Sequence, residues 1–142
     1  MEAICQTAGE AISQVKLLLD TNALIWWLKD DASLGSKARA MIAGGDNELL
    51  VSIISLWEVT IKFRVGKMEF LGSSFLDALA SEGIVPLLPT PEHLIALEGL
   101  PVHHKDPFDH LIIAQALVED ATIITSDRVF VDYGVRCFPA GR

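Results

Sequence analysis

Cysteines and long apolar runs are scarce in this chain, and each shortage excludes a class of protein. The two cysteines, Cys5 and Cys137, lie near opposite ends and form no C-x-x-C or other metal-ligand spacing, so we interpret them as reduced packing residues. No apolar run reaches the roughly 18 residues that a membrane span requires. No basic segment followed by an apolar one marks a secretory signal, and we therefore expect a cytoplasmic protein with no membrane contact.

Basic residues are also outnumbered, with 11 Lys and Arg against 19 Asp and Glu and a formal net charge of −8. Taken alone, this balance argues against a protein that binds nucleic acid, because phosphate contacts require Lys and Arg. Acidic side chains gathered in one pocket would have a different meaning, since they hold divalent cations that reverse the local sign of the charge. The positions of the acids along the chain must decide between a general acidic surface and a cation-binding pocket.

The length of 142 residues suggests one domain, with a fold that begins at Lys16 and continues to residue 142. Residues 1–15 show weak periodicity, and we expect them to be an N-terminal extension that is either not native or disordered. An alternative start codon is read internally as Val, so our hypothesis is that Val15 is the native first residue. N-terminal sequencing of the endogenous protein would test it.

Strand-like and helix-like segments alternate along the rest of the chain. The pattern predicts strands at 16–20, 48–52, 84–88, 122–126 and 135–138, and helices at 22–28, 34–43, 73–82 and 107–119. Two more helices are expected to begin at Ser52 or Ser55 and at Thr90, and Ser33 is the expected cap of helix 34–43. Helix 107–119 is apolar nearly all round, which predicts a central, buried position. The alternation is typical of an α/β fold with a mostly parallel sheet.

Four acids from distant segments of the chain could meet at one edge of the sheet. Asp20 closes the first strand and Asp127 lies just past the fourth, while Asp109 is in the first turn of the buried helix. Glu58 is in the helix after the second strand. Open α/β sheets bind ligands beyond the carboxyl ends of their strands. Carboxylates gathered there repel one another unless cations are present, and they suit Mg²⁺ or Mn²⁺, a pair of which can hydrolyse a phosphodiester.

Each acid also has an ordinary structural explanation. Asp20 can cap a helix, Asp127 can lie in a turn, and Asp109 can occupy an acid-favoured position in a first helical turn. Glu58 can pair with Lys62 at i,i+4. For any single acid this explanation is the commoner one. Glu58 fits its own least well, because apolar neighbours suggest a buried helix and a buried acid needs a partner.

Four segments occur in one order between Lys16 and Phe138: LLLDTNALIWWL, SIISLWEVTIKFRVGKM, HHKDPFDHLIIAQA and TIITSDRVF. Together they resemble the signature segments of PIN domains, specifically those of the VapC-like toxins of bacterial toxin–antitoxin pairs. The resemblance implies a PIN-like three-layer α/β/α fold with a short, mostly parallel central sheet. It also implies that an acidic quartet is both catalytic and metal-binding, which matches Asp20, Glu58, Asp109 and Asp127.

On that resemblance the protein is a metal-dependent endoribonuclease that uses Mg²⁺ or Mn²⁺, forms homodimers and is inhibited by a small antitoxin bound in the active-site groove. Water attacks the phosphorus in line and the 3′ oxygen leaves, which gives 5′-phosphate and 3′-hydroxyl ends. One position departs from the subgroup, since Asn22 stands where His often follows Asp-Thr. Both side chains form hydrogen bonds, so we interpret the difference as tuning of activity and not its loss.

Other residues beside the quartet are expected to support it. Thr21 and Ser126 could orient a carboxylate or a water, although a satisfied strand-end hydroxyl is the preferred explanation of Thr21. Asn22 and Asp106 could do the same, although Asp106 is sufficiently explained as a helix cap before Pro107.

RNA contacts are less specific in the sequence. Basic and histidine side chains near the acids could hold RNA phosphates or form a solvated surface: Lys62, Arg64, Lys67, His103, His104 and Lys105. Tryptophans could stack on bases, but their apolar neighbours favour a place in the core or a dimer interface: Trp26, Trp27 and Trp57.

Two other functions remain open at this point. An acidic phosphatase or phosphotransferase would use Asp20 as its nucleophile, but Asp-Thr-Asn lacks the second acid of a D-x-D pattern and the chain has no Gly-rich phosphate loop. A non-catalytic interaction module would use the acids only as caps and turns. Replacement of Asp20 by Asn helps to distinguish the three functions. A nuclease would lose RNA cleavage with unchanged folding, a phosphotransferase would form a phosphoaspartate at Asp20, and a module would show no activity of any kind with metal present.

Overall fold

The computed structural model describes residues 15–67 and 72–141, so the predicted N-terminal extension lies outside the described residues except for Val15. The strands are β1 (Lys16–Leu19), β2 (Glu48–Ser52), β3 (Ile84–Leu87), β4 (Thr122–Thr125) and β5 (Cys137–Pro139). The α-helices are α1 (Thr21–Leu28), α2 (Ser36–Ala43), α3 (Ile53–Arg64), α4 (Gly72–Glu82), α5 (Pro91–Glu98) and α6 (Pro107–Glu119), and a 3-10 helix covers Arg128–Tyr133. Within the two described ranges, no helix is both long and apolar enough to cross a membrane.

All five strands are parallel and lie in the order β3-β2-β1-β4-β5. β1 is central, since Leu19 pairs with Val51 of β2 on one side and with Ile124 of β4 on the other. The chain passes outward from β1 through β2 to β3 and then returns to the other side of β1. Sheets of this kind bind ligands at the switch point, which here lies between the carboxyl ends of β1 and β4. The predicted parallel α/β fold is confirmed.

Alternate residues of β1 face opposite sides of the sheet and join two separate hydrophobic cores. Leu17 and Leu19 belong to one core, together with buried side chains from α1, α2, α3 and α4. Leu18 belongs to the other, together with Ile113 of α6 and Phe130 of the 3-10 helix. All three leucines are fully buried. The sheet therefore lies between two helical layers, which is the predicted three-layer arrangement.

The helix predicted at 34–43 begins two residues later, and its N-cap is Gly35, so the prediction of a Ser33 cap is wrong. Leu34 forms an antiparallel bridge with Gly141, and the Gly35 N–H donates to the Ala140 carbonyl at 2.8 Å. These contacts keep the segment extended beside the C-terminal strand. Gly35 itself is extended, with φ −66° and ψ 154°, so the helical backbone conformation begins only at Ser36.

Two predictions about burial are only partly right. The central position of α6 is confirmed for residues 112–116, but Leu117 and Val118 are each 40% exposed where the helix reaches the surface. Trp57 is 52% exposed and packs against Phe108, with 4.9 Å between ring centroids, so it does not fill the core. Trp26 and Trp27 are partly buried against the first core, as expected.

Candidate active site

A cavity of about 410 Å³ opens at the carboxyl ends of β1 and β4. All four members of the predicted quartet line it, although they come from four distant segments of the chain. The full lining comprises Asp20, Thr21, Asn22, Glu58, Lys62, Asp106, Asp109, Ile112, Ser126, Asp127 and Phe130. The fold thus collects acidic side chains at its switch point.

The ends of two neighbouring strands position Asp20 and Asp127. The Asp20 N–H donates to the Ile124 carbonyl at 3.1 Å, so Asp20 stays in register with β4 after β1 has ended. The Thr125 hydroxyl then donates to Oδ2 of Asp20 and accepts from the Asp127 N–H at 3.0 Å. One buried hydroxyl therefore holds both acidic residues in place.

Glu58 reaches the cavity from α3, which begins at the Ser52 cap directly after β2. Its Oε1 accepts a hydrogen bond from the Thr21 hydroxyl at 3.0 Å, and its Oε2 pairs with Lys62 Nζ at 3.2 Å. The Glu58 side chain is 31% exposed, so the helix is less buried here than its apolar neighbours suggest. The predicted i,i+4 ion pair is present, and it coexists with a contact to α1.

Asp109 lies in the first turn of α6, which Asp106 caps by accepting from the Phe108 N–H at 2.9 Å. Oδ2 of Asp109 lies 3.2 Å from Nε2 of His104. Burial raises the pKa of Asp109 to about 6, and repulsion from the Asp106 carboxylate adds to the rise. The hydrogen bond with His104 opposes it.

Asp20 is the one buried acid of the described residues, at 9% exposure. Burial raises its pKa, while hydrogen bonds from Thr125 and from the Ala23 N–H lower it. Repulsion from Asp127 and Glu58 raises the pKa further. Two acids with raised pKa values in one cavity mean that its own hydrogen bonds do not fully compensate the negative charge, and a bound cation would.

Three acids of the cavity are also helix N-caps, which agrees with the cap and turn roles that the sequence offers for them. Asp20 accepts from the Ala23 N–H at 2.8 Å at the start of α1, and Asp127 accepts from the Val129 N–H at 3.0 Å at the start of the 3-10 helix. Asp106 caps α6. Capping and clustering do not exclude each other, because the three helices begin at the same cavity. Helix N-termini carry partial positive charge, which stabilises carboxylates and other anions there.

The comparison of the sequence with known protein families covers most of the chain. The family model of the PIN domain matches residues 17–135. The chain belongs to the PIN domain family. No curated protein matches this PIN domain significantly.

Solved structures with the same fold cover most of this PIN domain. VapBC2 of Rickettsia felis, bound to a DNA fragment from its promoter, has a chain with a TM-score of 0.70 and 18% identity, and the match covers 87% of this chain and 98% of that one. VapBC-1 of nontypeable Haemophilus influenzae gives 0.61 and 21%, with 87% and 97% covered. A toxin–antitoxin complex from Klebsiella pneumoniae gives 0.53 and 19%, with 79% and 87% covered. At these identities the likeness shows the fold.

The donor set of this PIN domain fits a hard divalent cation. The cavity offers carboxylate oxygens and, within residues 15–67 and 72–141, is lined by no His or Cys, which suits Mg²⁺ or Mn²⁺ better than softer metals. Among the described residues, no three His, Cys, Asp or Glu side chains already converge closely enough to hold an ion. Both oxygens of Asp20 already accept hydrogen bonds from the fold. Mg²⁺ usually keeps several waters, so a few of the carboxylates could bind it directly and the others through water.

The predicted supporting residues Thr21, Asn22, Ser126 and Asp106 all line the cavity. The Thr21 hydroxyl bonds to Glu58, so orientation of a carboxylate describes it better than the preferred strand-end explanation. Ser126 accepts from the Gly141 N–H at 2.7 Å and so anchors the C-terminal segment.

The predicted phosphate-binding residues, all in the described part of the chain, are placed differently from one another. Lys62 alone among them lines the cavity, while Arg64, Lys67 and Lys105 are exposed outside it. The ring nitrogens of His104 lie within hydrogen-bond distance of the Tyr133 hydroxyl and of Asp109, so its ring contacts the protein and does not face an RNA phosphate.

A larger cavity, of about 930 Å³, lies between α2 and the C-terminal strand. Its lining is mainly apolar and contains no acid. Chemistry on a phosphate requires convergent charged or polar groups, so the smaller acidic cavity is the candidate active site.

Sequence reasoning missed Thr125 and Tyr133. Thr125 stands beside Ser126, and only the pairing of β4 with β1 shows that its hydroxyl meets Asp20. Tyr133 is the single tyrosine of the chain, and its hydroxyl contacts the segment that leads to Asp109. The signal that could have found it is that a buried tyrosine needs a partner for its hydroxyl.

Proposed function

We propose that this PIN domain is a metal-dependent endoribonuclease toxin of a toxin–antitoxin pair, similar to VapC, that hydrolyses RNA phosphodiester bonds to 5′-phosphate and 3′-hydroxyl ends in the cytoplasm. One observation carries the proposal: four carboxylates from distant segments line a single cavity at the switch point of the sheet, namely Asp20, Glu58, Asp109 and Asp127. The raised pKa values of Asp20 and Asp109 support it, because burial, and then repulsion from neighbouring carboxylates, disfavours their ionised forms and a bound divalent cation would favour them.

The four carboxylates would hold Mg²⁺ or Mn²⁺, directly or through water. When bound, the cation supplies Lewis-acid stabilisation of the charge that develops on the scissile phosphate and lowers the pKa of water. The remaining residues position the acids. Thr125 holds Asp20 and the backbone of Asp127, and Thr21 together with Lys62 holds Glu58.

The chain also offers groups that favour a bound phosphate. The helices α1 and α6 and the 3-10 helix begin at the cavity. The partial positive charge at a helix N-terminus attracts anions. Lys62 adds a positive charge at its rim, while Arg64, Lys67 and Lys105 lie on the surface, where they could contact phosphates farther along the RNA. These local positive groups explain how a chain of net charge −8 could bind RNA.

The geometry disfavours the two alternative functions. A phosphotransferase with Asp20 as nucleophile would be expected to carry a second acid two residues later, but Asn22 has that place in the cavity lining. A non-catalytic module explains the caps of Asp20, Asp106 and Asp127. It gives no reason for Glu58, which caps nothing, to be held at the same cavity by Thr21.

The decisive experiment incubates the purified protein, freed of bound antitoxin, with labelled structured RNA and Mg²⁺ or Mn²⁺, and maps the product ends. We expect cleavage to 5′-phosphate ends that EDTA abolishes, and a loss of at least about 100-fold in the variants Asp20→Asn and Asp127→Asn. Asn also caps helices, so both variants should fold as the wild type does.

The matched control is Asp77→Asn, since Asp77 is an exposed acid of α4 that does not line the cavity. Its cleavage rate should equal that of the wild type. Ends with a 2′,3′-cyclic phosphate, or full cleavage by Asp20→Asn, would contradict the proposal. If the wild type cleaves no cellular RNA and does not inhibit growth when expressed, the interaction module becomes the better function.

We propose a small antitoxin and a second copy of the chain as protein partners. Solved structures of this fold include a toxin–antitoxin complex. Trp57 of α3 and Leu76 of α4 are each 52% exposed and line one apolar depression, and contiguous apolar surface of this kind is typical of interfaces. The molar mass in solution, measured with and without a coexpressed antitoxin, tests both partners.

A further inference from the structure

A network of hydrogen bonds reaches Asp109 from outside the cavity and centres on Tyr133. The Tyr133 side chain is buried at the end of the 3-10 helix. Its hydroxyl accepts from the backbone N–H groups of His103 and His104 at 3.0 and 3.2 Å. The same oxygen lies 2.8 Å from Nδ1 of His104 and 3.1 Å from Nε2 of His110.

The positions of these groups decide where the hydroxyl proton points. The two backbone N–H groups occupy the lone pairs of the Tyr133 oxygen, so its proton must be donated, and Nδ1 of His104 is the nearest acceptor. A neutral imidazole that accepts at Nδ1 carries its proton at Nε2. That Nε2–H faces Oδ2 of Asp109 at 3.2 Å, and a carboxylate is its natural acceptor.

Extending the proposed function, we propose that His104 is a positioning residue of the active site, oriented by Tyr133, that holds Oδ2 of Asp109 and leaves Oδ1 available to the cation. No described residue donates a hydrogen bond to Oδ1, which is consistent with this division of the two oxygens. The same bond favours the ionised carboxylate, since it lowers the pKa that burial and Asp106 raise. Partners of this kind commonly orient a ligating carboxylate.

A purely structural role is the competing explanation, because the same bonds tie the loop before α6 to the 3-10 helix. Two substitutions separate the roles. The side-chain amide nitrogen of Gln reaches about as far from the backbone as Nε2 of His, whereas the amide oxygen of Asn reaches only as far as Nδ1 and can accept from the Tyr133 hydroxyl. His104→Gln therefore keeps the donor to Asp109, and His104→Asn keeps only the contact with Tyr133.

The first test measures the affinity of the whole protein for Mn²⁺ alone by calorimetry, together with thermal unfolding. We expect His104→Asn to weaken Mn²⁺ binding roughly tenfold and His104→Gln to restore most of that loss. The control is His103→Asn, which should bind Mn²⁺ as the wild type does. The ring of His103 packs edge-on against Tyr133 at 4.8 Å and bonds to no acid within the described part of the chain. Equal Mn²⁺ affinity in all variants, with only their stabilities changed, would overturn the proposal.

The second test needs no metal and no activity. Long-range ¹H–¹⁵N correlation spectra at mildly alkaline pH report which nitrogen of His104 carries the proton. The expected result is the Nε2–H tautomer in the wild type and a mixture in Tyr133→Phe. An Nδ1–H tautomer in the wild type would overturn the proposal. If the wild type binds no Mn²⁺, the cation site of the proposed function fails, and the tautomer then decides separately whether His104 holds Asp109.

Discussion

The Thr21 hydroxyl donates a hydrogen bond to Oε1 of Glu58 at 3.0 Å, across 37 positions of sequence. It joins the first residue of α1 to the middle of α3, two helices that pack on the same face of the sheet. Lys62 pairs with the other oxygen of Glu58, so the carboxylate is held from two sides. Held in this way, Glu58 lines the same cavity as Asp20, Asp109 and Asp127.

Replacement of Thr21 by Val removes the hydroxyl and keeps the shape of the side chain. We expect a loss of about 1 kcal/mol in the free energy of unfolding, measured with urea, and a loss of roughly tenfold in RNA cleavage. Thr21→Ser is the matched control, because it retains the donor, and it should stay close to the wild type in both measurements. A Thr21→Val variant that cleaves at the wild-type rate would show that the bond does not support catalysis.

A divalent cation should stabilise the folded protein if the acidic cavity holds it. At a concentration about 100 times its Kd, the expected gain is about 2.7 kcal/mol in the free energy of unfolding, because the ion binds only the folded chain. Urea unfolding in Mg²⁺ or Mn²⁺, compared with NaCl at equal ionic strength, measures it. The gain should be lost in an Asp20→Asn, Asp127→Asn double variant; an equal gain there would place the ion elsewhere.

The raised pKa of Asp109 predicts how the stability of the folded protein depends on pH in the absence of metal. Its pKa is raised to about 6, chiefly by burial, above the value of about 3.9 for an unfolded Asp. The folded state therefore holds this proton more tightly than the unfolded state. The stabilisation is complete below about pH 3.9 and is lost as the pH rises through about 6.

The check is Asp109→Asn, which has no proton to lose. The difference in unfolding free energy between this variant and the wild type, in EDTA, should shift in favour of the variant as the pH rises from about 4 to 7. Parallel stability curves for the two proteins across that range would mean that burial does not raise the pKa of Asp109.

Glu119 lies away from the cavity, and its lowered pKa predicts the opposite dependence of stability on pH. His93 is fully buried and accepts from the Thr90 N–H at Nδ1, so its Nε2–H donates to Glu119 at 2.9 Å. This bond, and then the pairing with Lys16, lowers the pKa of Glu119. The contribution to stability is present above about pH 4.3, the value of an unfolded Glu, and is lost as the pH falls through the lowered pKa.

Glu119→Gln tests this, with Glu98→Gln as a control, since Glu98 is an exposed acid of α5. The stability advantage of the wild type over Glu119→Gln should be present at neutral pH and shrink in acid. An advantage that does not change with pH would show that packing, and not the ionised carboxylate, accounts for it.

Where sequence reasoning was wrong, a contact distant in sequence overrode a local signal. Ser33 is a good helix cap, yet the bridge between Leu34 and Gly141 delays the start of α2. For Trp57 the apolar neighbours favoured the core or a dimer interface, and the structure excludes only the core, since the side chain is half exposed against Phe108. In both cases the partner comes from a distant segment of the chain, and no local pattern contains it.

The sequence by itself determined the order of strands and helices and the parallel α/β class, and it predicted four acids that line one cavity. Those features depend on periodicity, on caps and on which residues follow a strand, and all of these are local. Only the tertiary structure decided that Asp20 and Asp127 share one hydroxyl of Thr125, and that Tyr133 lies behind His104. Such contacts depend on strand register and on the packing of distant segments, which form only when the sheet is assembled.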